Sequence, residues 1–427
     1  MVNINVIFKR LRGKSILILG FGREGRSSLA FVRKFLPHAV VGVADGNANV
    51  LAGLEESHDV KTYSGENYFD AVNDYDIVLK TPGISLKDKD IDFSKITSQT
   101  DLFLEEFHDR IIGVTGTKGK STTSTLISHL LKESGREVFL VGNIGIPVFD
   151  VIEQLTQNSV IVFELSAHQL QFIHRSPHVG ILLNVFEEHL DHFGTFDAYR
   201  NAKLNIIRKM ADGDWAVTTD EFSYEVAEFY GRTISYPYYD FNVDWEKVPL
   251  KGEHNKLNVK AALCACGAFG VPADEVIPHL YTFKPLEHRQ ELVGTFGGVT
   301  FYNDSISTIP QAAIAAVETI KNVKFLLLGG YDREINYSPL TEYLMKNKVE
   351  HLLFTGNAGK RMMSMLKDAG YKGDMMIFAN LPEAFSIIRK KAKSGDACLL
   401  SPAAASYDQY KNFEERGRKF KELAEKF

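Results

Sequence analysis

Five apolar or small residues, Ile111-Ile112-Gly113-Val114-Thr115, run directly into Gly116-Thr117-Lys118-Gly119-Lys120-Ser121-Thr122-Thr123. A strand that enters a glycine turn and leaves as a helix makes a cradle for phosphate. Gly116 and Gly119 let backbone N–H groups turn toward an anion, Lys120 can reach β- and γ-phosphates, and Ser121 offers a hydroxyl to Mg²⁺ at the helix N-terminus. The ligand implied is a nucleoside triphosphate such as ATP, held by residues 116–122. The spacing departs from the strict G-x-x-x-x-G-K-[ST] pattern, because Val114 stands where its first glycine belongs. A glycine turn before a helix, with no ligand, is the alternative that these residues alone leave open.

A second glycine turn follows the apolar stretch Ile16-Leu17-Ile18-Leu19 as Gly20-Phe21-Gly22-Arg23-Glu24-Gly25, and Asp45 ends the next apolar stretch 20 residues after Gly25. This spacing fits a pyrophosphate approached by bare backbone and a ribose hydroxyl met by a carboxylate. It serves a UDP-sugar as well as a nicotinamide dinucleotide. Further along, Val160-Ile161-Val162-Phe163 precedes Glu164, and Val179–Leu183 precedes Asn184 and, five residues later, His189. Strands apolar on both faces belong to parallel sheets, and the polar residue after such a strand lies at the carboxyl edge where ligands bind. Ser121 and Glu164 are hard oxygen donors suited to one Mg²⁺. His189 reads equally as a ligand or as a hydrogen-bonded core histidine. Taken alone, Lys203 reads as a solvated helix lysine, Asn143 as a turn asparagine, and Gly252-Glu253-His254-Asn255 as the capped approach to a helix.

The elements that must position these residues form an α/β fold. At roughly 150 residues per domain, 427 residues predict about three domains. The expected boundaries are 1–100, 101–286 and 287–427. The first and third are Rossmann-like, the third because Lys324–Gly330 and Ala397–Pro402 read as buried strands separated by helical segments; the second is a parallel sheet around the phosphate cradle. A hydrophobic content of 44% is ample for buried cores, and a net charge of −5 with both signs interspersed offers no stripe for nucleic acid and no polybasic membrane patch. Residues 1–10 lack the apolar core of a signal peptide, and no apolar run spans a bilayer, so a cytoplasmic chain is expected. Three cysteines, Cys264, Cys266 and Cys398, read as buried thiols.

The motifs recur together in one order. The phosphate loop, Phe163-Glu164-Leu165-Ser166, Asn184-Val185-Phe186-Glu187-Glu188-His189-Leu190-Asp191-His192, Tyr199-Arg200-Asn201-Ala202-Lys203-Leu204, Gly252–Asn255, Asn303-Asp304-Ser305 and Leu400-Ser401-Pro402-Ala403 resemble those of the Mur ligases and their folylpolyglutamate synthetase relatives. The likeness covers nearly the whole chain and is nearest to the D-glutamate-adding branch, whose glutamate-binding end Ser406–Gly417 resembles. It implies the three-domain Mur ligase architecture and a monomer. The implied reaction is ATP-dependent addition of glutamate to UDP-N-acetylmuramoyl-L-alanine through an acyl phosphate. Domain closure would then shield that acyl phosphate from water.

The resemblance also assigns residues. Lys120, Lys203 and His189 become catalytic. Ser121, Glu164, His189 and Lys203 as an N-carbamate become ligands of two Mg²⁺ ions. Asn255, Arg289 and Asp304 join the ATP set, and Gly22, Arg23, Glu24, Asp45, Gly83 and Asn143 the UDP-substrate set. Thr308, Arg333, Ser406, Tyr407 and Phe413 become the glutamate contacts. Here the chain departs from its family, since Ile306 and Arg333 stand at or near two positions that carry lysine there; a guanidinium clasps a carboxylate through two parallel hydrogen bonds, so Arg333 can substitute. The L-glutamate-adding variant and a folylpolyglutamate-type ligase are the alternatives within the family. A nicotinamide enzyme explains only Gly20–Gly25 with Asp45, and a non-catalytic nucleotide-binding regulator only the loop.

Overall fold

The computed structural model describes residues 2–54, 60–144, 146–228 and 231–427, apart from the Asp191 side chain. Its strands form three open sheets. In the first, β1 (Ile16–Leu19), β2 (Val41–Asp45), β3 (Val60–Ser64), β4 (Ile77–Lys80) and β5 (Ile96–Thr97) lie in the order β3-β2-β1-β4-β5, all pairs parallel. Every residue of β1 and β4 is buried, which is why these stretches show no polar alternation. Two glycines make the turn after β1 possible. Gly20 has φ +94°, and a Cβ there would sit 2.0 Å from the Thr81 hydroxyl; a Cβ on Gly25 would meet the Gly20 carbonyl oxygen at 2.2 Å, so the helix Arg23–Phe35 rests directly on the turn.

The second sheet holds β6 (Ile111–Thr115), β7 (Val138–Gly142), β8 (Val160–Glu164), β9 (Val179–Leu182), β10 (Trp215–Thr218) and β11 (Arg232–Ser235) in the order β11-β10-β9-β6-β8-β7, again all parallel. The strand order reverses about β6, so the ends of β6, β8 and β9 open onto the crevice where such sheets bind ligands. The phosphate loop follows β6, Glu164 ends β8, and Asn184 to His189 follow β9.

By the packing of its Cα trace the chain divides into two compact units. Met1–Val248 with Leu257–Phe283 carries the first two sheets, and Pro249–Lys256 with Lys284–Phe427 carries the third. That third sheet has the order β12-β13-β17-β14-β15-β16, from β12 (Glu291–Phe296), β13 (Val299–Asn303), β14 (Val323–Gly329), β15 (His351–Thr355), β16 (Asp374–Ile377) and β17 (Ala397–Leu400). Its pairs are parallel except β12 with β13. Apolar clusters cover both faces, one around Leu326, Leu352 and Leu399 and the other around Phe301, Phe325 and Phe420. Fully burying each such side chain contributes about 1.5–3 kcal/mol.

Gly252-Glu253-His254-Asn255 does not precede a helix, as expected from its capping pattern. Glu253, His254 and Asn255 form the first turn of the helix Glu253–Ala268, and only Gly252, at φ +92°, lies outside it. No helix among the described residues is long and apolar enough to cross a membrane.

Candidate functional site

At the carboxyl edge of the second sheet the phosphate loop is tied to the segment after β9. Thr117 N–H donates to the Asn184 carbonyl (2.9 Å) and Lys118 N–H to Asn184 Oδ1 (2.9 Å), while Asn184 Nδ2 donates back to the Lys118 carbonyl (3.1 Å). Phe186 N–H donates to Thr117 Oγ1 (2.9 Å), which also lies 3.1 Å from the Tyr199 hydroxyl. The cradle and the histidine-bearing segment therefore form one hydrogen-bonded piece. Gly119, at φ +86°, is the N-cap of the helix Lys120–Glu133.

Two lysines converge on one carbonyl. Lys120 Nζ donates to Gly116 O at 2.9 Å and to Thr117 O at 3.0 Å, and Lys203 Nζ donates to the same Gly116 O at 2.8 Å. Lys203 is 1% exposed. Burial first, then the neighbouring Lys120 charge, hold its ammonium form well below the usual lysine range. A lysine so shifted gives up its proton more readily than an exposed one, and the free amine is the form that takes up CO₂ as a carbamate.

Glu164 is fully buried. One carboxylate oxygen accepts from Asn143 Nδ2 (2.7 Å) and the other from Ser124 Oγ (3.5 Å), while the Asn143 N–H donates to the Glu164 carbonyl (3.0 Å). No ion pair to Glu164 occurs among the described residues. A buried carboxylate so placed calls for a cation. The Ser121 hydroxyl, the imidazole of His189 and, were Lys203 carbamylated, its oxygens would add donors of kinds that fit Mg²⁺. His189 has left-handed backbone (φ +59°), and its ring stands edge-to-face 4.9 Å from that of His168, whose imidazolium form is suppressed by burial to a pKa of about 3.

Lys120, Asn143, Glu188, His189, Tyr199 and Lys203 line one cavity of about 390 Å³, which Pro82 and Gly83 from the end of β4 also border. Asp45 accepts from Phe21 N–H (2.7 Å) and Asn47 N–H (2.9 Å), so its carboxylate also shapes the turn after β1. Gly22 is exposed with open space beside it. Arg23 reaches the Gly142 carbonyl (3.5 Å), and Glu24 accepts from Gln169 Nε2 (2.9 Å). Burial raises the Glu24 carboxyl, and it pushes the neighbouring Lys80 down to about 8.

In the second unit, Asp304 is fully enclosed. It accepts from Ser307 Oγ (2.5 Å), Ser401 Oγ (2.7 Å) and Gln290 N–H (3.1 Å), and burial raises it to about 6 despite those bonds and the nearby Arg289 charge. Asn255 is buried and donates to the Lys251 carbonyl (2.8 Å). Arg333 is exposed, and its guanidinium donates to the Thr308 carbonyl (3.0 Å). Ser406 is buried, Tyr407 is exposed against Tyr331, and the Phe413 carbonyl accepts from Ser305 Oγ (2.8 Å).

Sequence reasoning assigned no role to Glu188, Tyr199, His168, Lys80 or Arg416. Glu188 and Tyr199 lay inside motifs already singled out. Arg416 lay inside the Ser406–Gly417 stretch. Lys80 directly precedes Thr81-Pro82-Gly83. Only His168 carried no signal.

Residues 114–245 match the family model described as Mur ligase middle domain, and residues 288–404 that described as Mur ligase, glutamate ligase domain. The chain is 36% identical over 399 residues to a UDP-N-acetylmuramoylalanine–D-glutamate ligase of Symbiobacterium thermophilum, covering 86% of this chain and 87% of that one. With the relative of the same name in Acetivibrio thermocellus it shares 32% over 461 residues, covering 98% of each. Among solved structures, a MurF ligase from Thermotoga maritima in complex with ADP has a similar fold, with TM-score 0.62 and 20% identity over 100% of this chain and 97% of that one.

Proposed function

Because the chain belongs to the Mur ligase family, we propose that it joins D-glutamate to UDP-N-acetylmuramoyl-L-alanine at the expense of ATP, in cytoplasmic synthesis of peptidoglycan precursors. The geometric observation that carries this reading is the single cavity on which Lys120, Lys203, Asn143 and His189 converge beside the buried Glu164. The choice of glutamate and of its D form rests on the names of the relatives, which the chain matches over almost its whole length.

The alanyl carboxylate attacks the γ-phosphorus of ATP, an acyl phosphate forms, and ADP leaves. The glutamate amine then attacks the acyl carbon, loses a proton and expels phosphate. Lys120, at the mouth of the cradle, offsets the charge that gathers on the transferring phosphoryl oxygens. Ser121 and Glu164 would hold one Mg²⁺, and His189 with carbamylated Lys203 a second; when bound, these ions supply further charge neutralisation on the phosphates. Asn143, whose Nδ2 donates to the Glu164 carboxylate (2.7 Å), is assigned to the UDP-linked substrate. Gly22, Arg23, Glu24, Asp45 and Gly83, in a domain of residues 1–100, are assigned to the UDP moiety. Asn255, Arg289 and Asp304 are assigned to ATP together with residues 116–122 of the 101–286 domain. In residues 287–427, Thr308, Arg333, Ser406, Tyr407 and Phe413 are assigned to glutamate, with Arg333 on its side-chain carboxylate.

The test is phosphate release from ATP with UDP-N-acetylmuramoyl-L-alanine across a panel of amino acids that includes both glutamate enantiomers. D-glutamate is expected to give the fastest turnover. Faster turnover with L-glutamate overturns the named product, and release that ignores the amino acid overturns the ligase.

A further inference from the structure

Lys118 belongs to the phosphate loop, yet its ammonium does not lie over the cradle alone. Nζ sits 3.2 Å from Glu188 Oε1, and Glu188 Oε2 lies 3.8 Å from His189 Nε2. The backbones that carry the two charges are the ones locked together by Asn184 and Thr117, so the pair is held in register from both sides. Both side chains are partly shielded, with 35% of Lys118 and 25% of Glu188 exposed. The Glu188 carboxylate of this pair stands in the wall of the cavity, beside the place where a nucleotide brings several more negative charges.

The consequence is electrostatic. A polyphosphate without its metal must compete with Glu188 for Lys118. A divalent cation that neutralises Glu188 ends that competition and releases Lys118 toward the phosphates. We propose that the Lys118–Glu188 ion pair couples nucleotide binding to divalent-cation binding, so that Glu188 acts as a positioning residue that withholds Lys118 from the phosphates until a cation arrives. The proposal rests on the reading of residues 116–122 as the nucleotide cradle and of the adjoining cavity as the metal site.

The experiment is equilibrium binding of ADP to the full chain by calorimetry, in EDTA and in excess MgCl₂, for wild type, Glu188→Gln, Lys118→Met and the double variant. Couplings of this kind span about 5–150-fold. Wild type should bind ADP at least about tenfold more tightly with Mg²⁺. Glu188→Gln should bind ADP about tenfold more tightly than wild type in EDTA and show a correspondingly smaller Mg²⁺ effect, the size of one strong charge contact. In the Lys118→Met background the same change should no longer tighten binding in EDTA by that factor, because no lysine remains to be released. Lys118→Met alone should weaken ADP binding in Mg²⁺ more than in EDTA, which gives a separate reading if Glu188→Gln fails to fold. Equal ADP affinity of wild type and Glu188→Gln in EDTA, or a Lys118→Met loss equal in both conditions, overturns the coupling. Failure of the wild-type chain to bind ADP under any condition overturns the nucleotide cradle itself, a different result.

Discussion

Arg416 lies in the helix Phe413–Ala424 and is 4% exposed. Its guanidinium donates through Nε to Ser305 Oγ (3.0 Å), through Nη2 to the carbonyls of Ser305 (2.8 Å) and Ala404 (3.1 Å), and through Nη1 to the carbonyl of Ala405 (3.3 Å). None of these four partners is a carboxylate. Burial draws the group down to about 10, which still leaves it charged at neutral pH. One planar fork thus clamps the segment after β13 to the segment after β17, the two segments that carry Thr308 and Ser406. Arg416→Lys keeps the charge but replaces the fork by a single compact ammonium, which can satisfy one or two of four acceptors. Two buried acceptors left without a donor cost about 1–3 kcal/mol each, so the expected loss is about 2–6 kcal/mol. Because the chain has two units, a single global unfolding energy is not the right observable. Native-state hydrogen exchange of the amides of residues 402–410 measures the opening of this clamp directly. The KM for glutamate should rise by more than about tenfold, and more than the KM for the UDP-linked substrate. A protection loss below about 1 kcal/mol, with an unchanged KM for glutamate, refutes the clamp.

Lys120→Ala removes the cation proposed to meet the phosphates, whose ammonium here donates to the Gly116 and Thr117 carbonyls, so phosphate release should fall by about 10²–10³ with an unchanged far-ultraviolet circular dichroism spectrum. Lys203→Ala should lose activity and largely regain it in millimolar acetate, which would supply the oxygen ligands proposed for a carbamate; no regain, together with an unmodified Lys203 by mass spectrometry of the native protein, would count against the carbamate. His174 donates to the buried Asp101 (2.9 Å), and this bond, ahead of the opposing effect of burial, raises its pKa above 6.5. A raised histidine contributes stability that is fully present below the unfolded pKa and lost as pH rises through the folded one. Urea midpoints of the unit that holds His174, Met1–Val248 with Leu257–Phe283, should therefore fall in wild type relative to His174→Gln as pH rises above 6.5, and parallel profiles would show that the bond carries no charge.

The parallel strands were legible because burial on both faces removes polar alternation. β1, β6, β8 and β17 read as unbroken apolar runs, and each polar residue that ends or follows one lies at a carboxyl edge. The edge strand β12 was not legible, since each of its residues is half-buried or exposed and Leu292 is 61% exposed, a pattern that a loop shares. The ion pair of Lys118 with Glu188 was hidden for another reason. The two residues lie 70 positions apart, and it takes the folded hydrogen bonds of Asn184 and Thr117 to bring their backbones together.

Lys203 and Arg416 carried a signal that charge alone disguised. In the helix Phe196–Arg208 the buried positions are Tyr199, Ala202, Lys203, Leu204, Ile206 and Ile207, and in Phe413–Ala424 they are Arg416, Gly417, Phe420 and Ala424. Each cation falls three or four residues from apolar members of the buried stripe, at a place where the helical period calls for a side chain that faces the core. Burying a charge there is unfavourable unless its donors are met. Both are met by backbone carbonyls and not by carboxylates: Gly116 for Lys203, and Ser305, Ala404 and Ala405 for Arg416. A cation on the apolar stripe of an amphipathic helix is therefore readable from sequence as a buried group that holds a loop. What the period cannot say is which loop, because the carbonyls that receive the charge lie 87 and 111 residues away for Gly116 and Ser305.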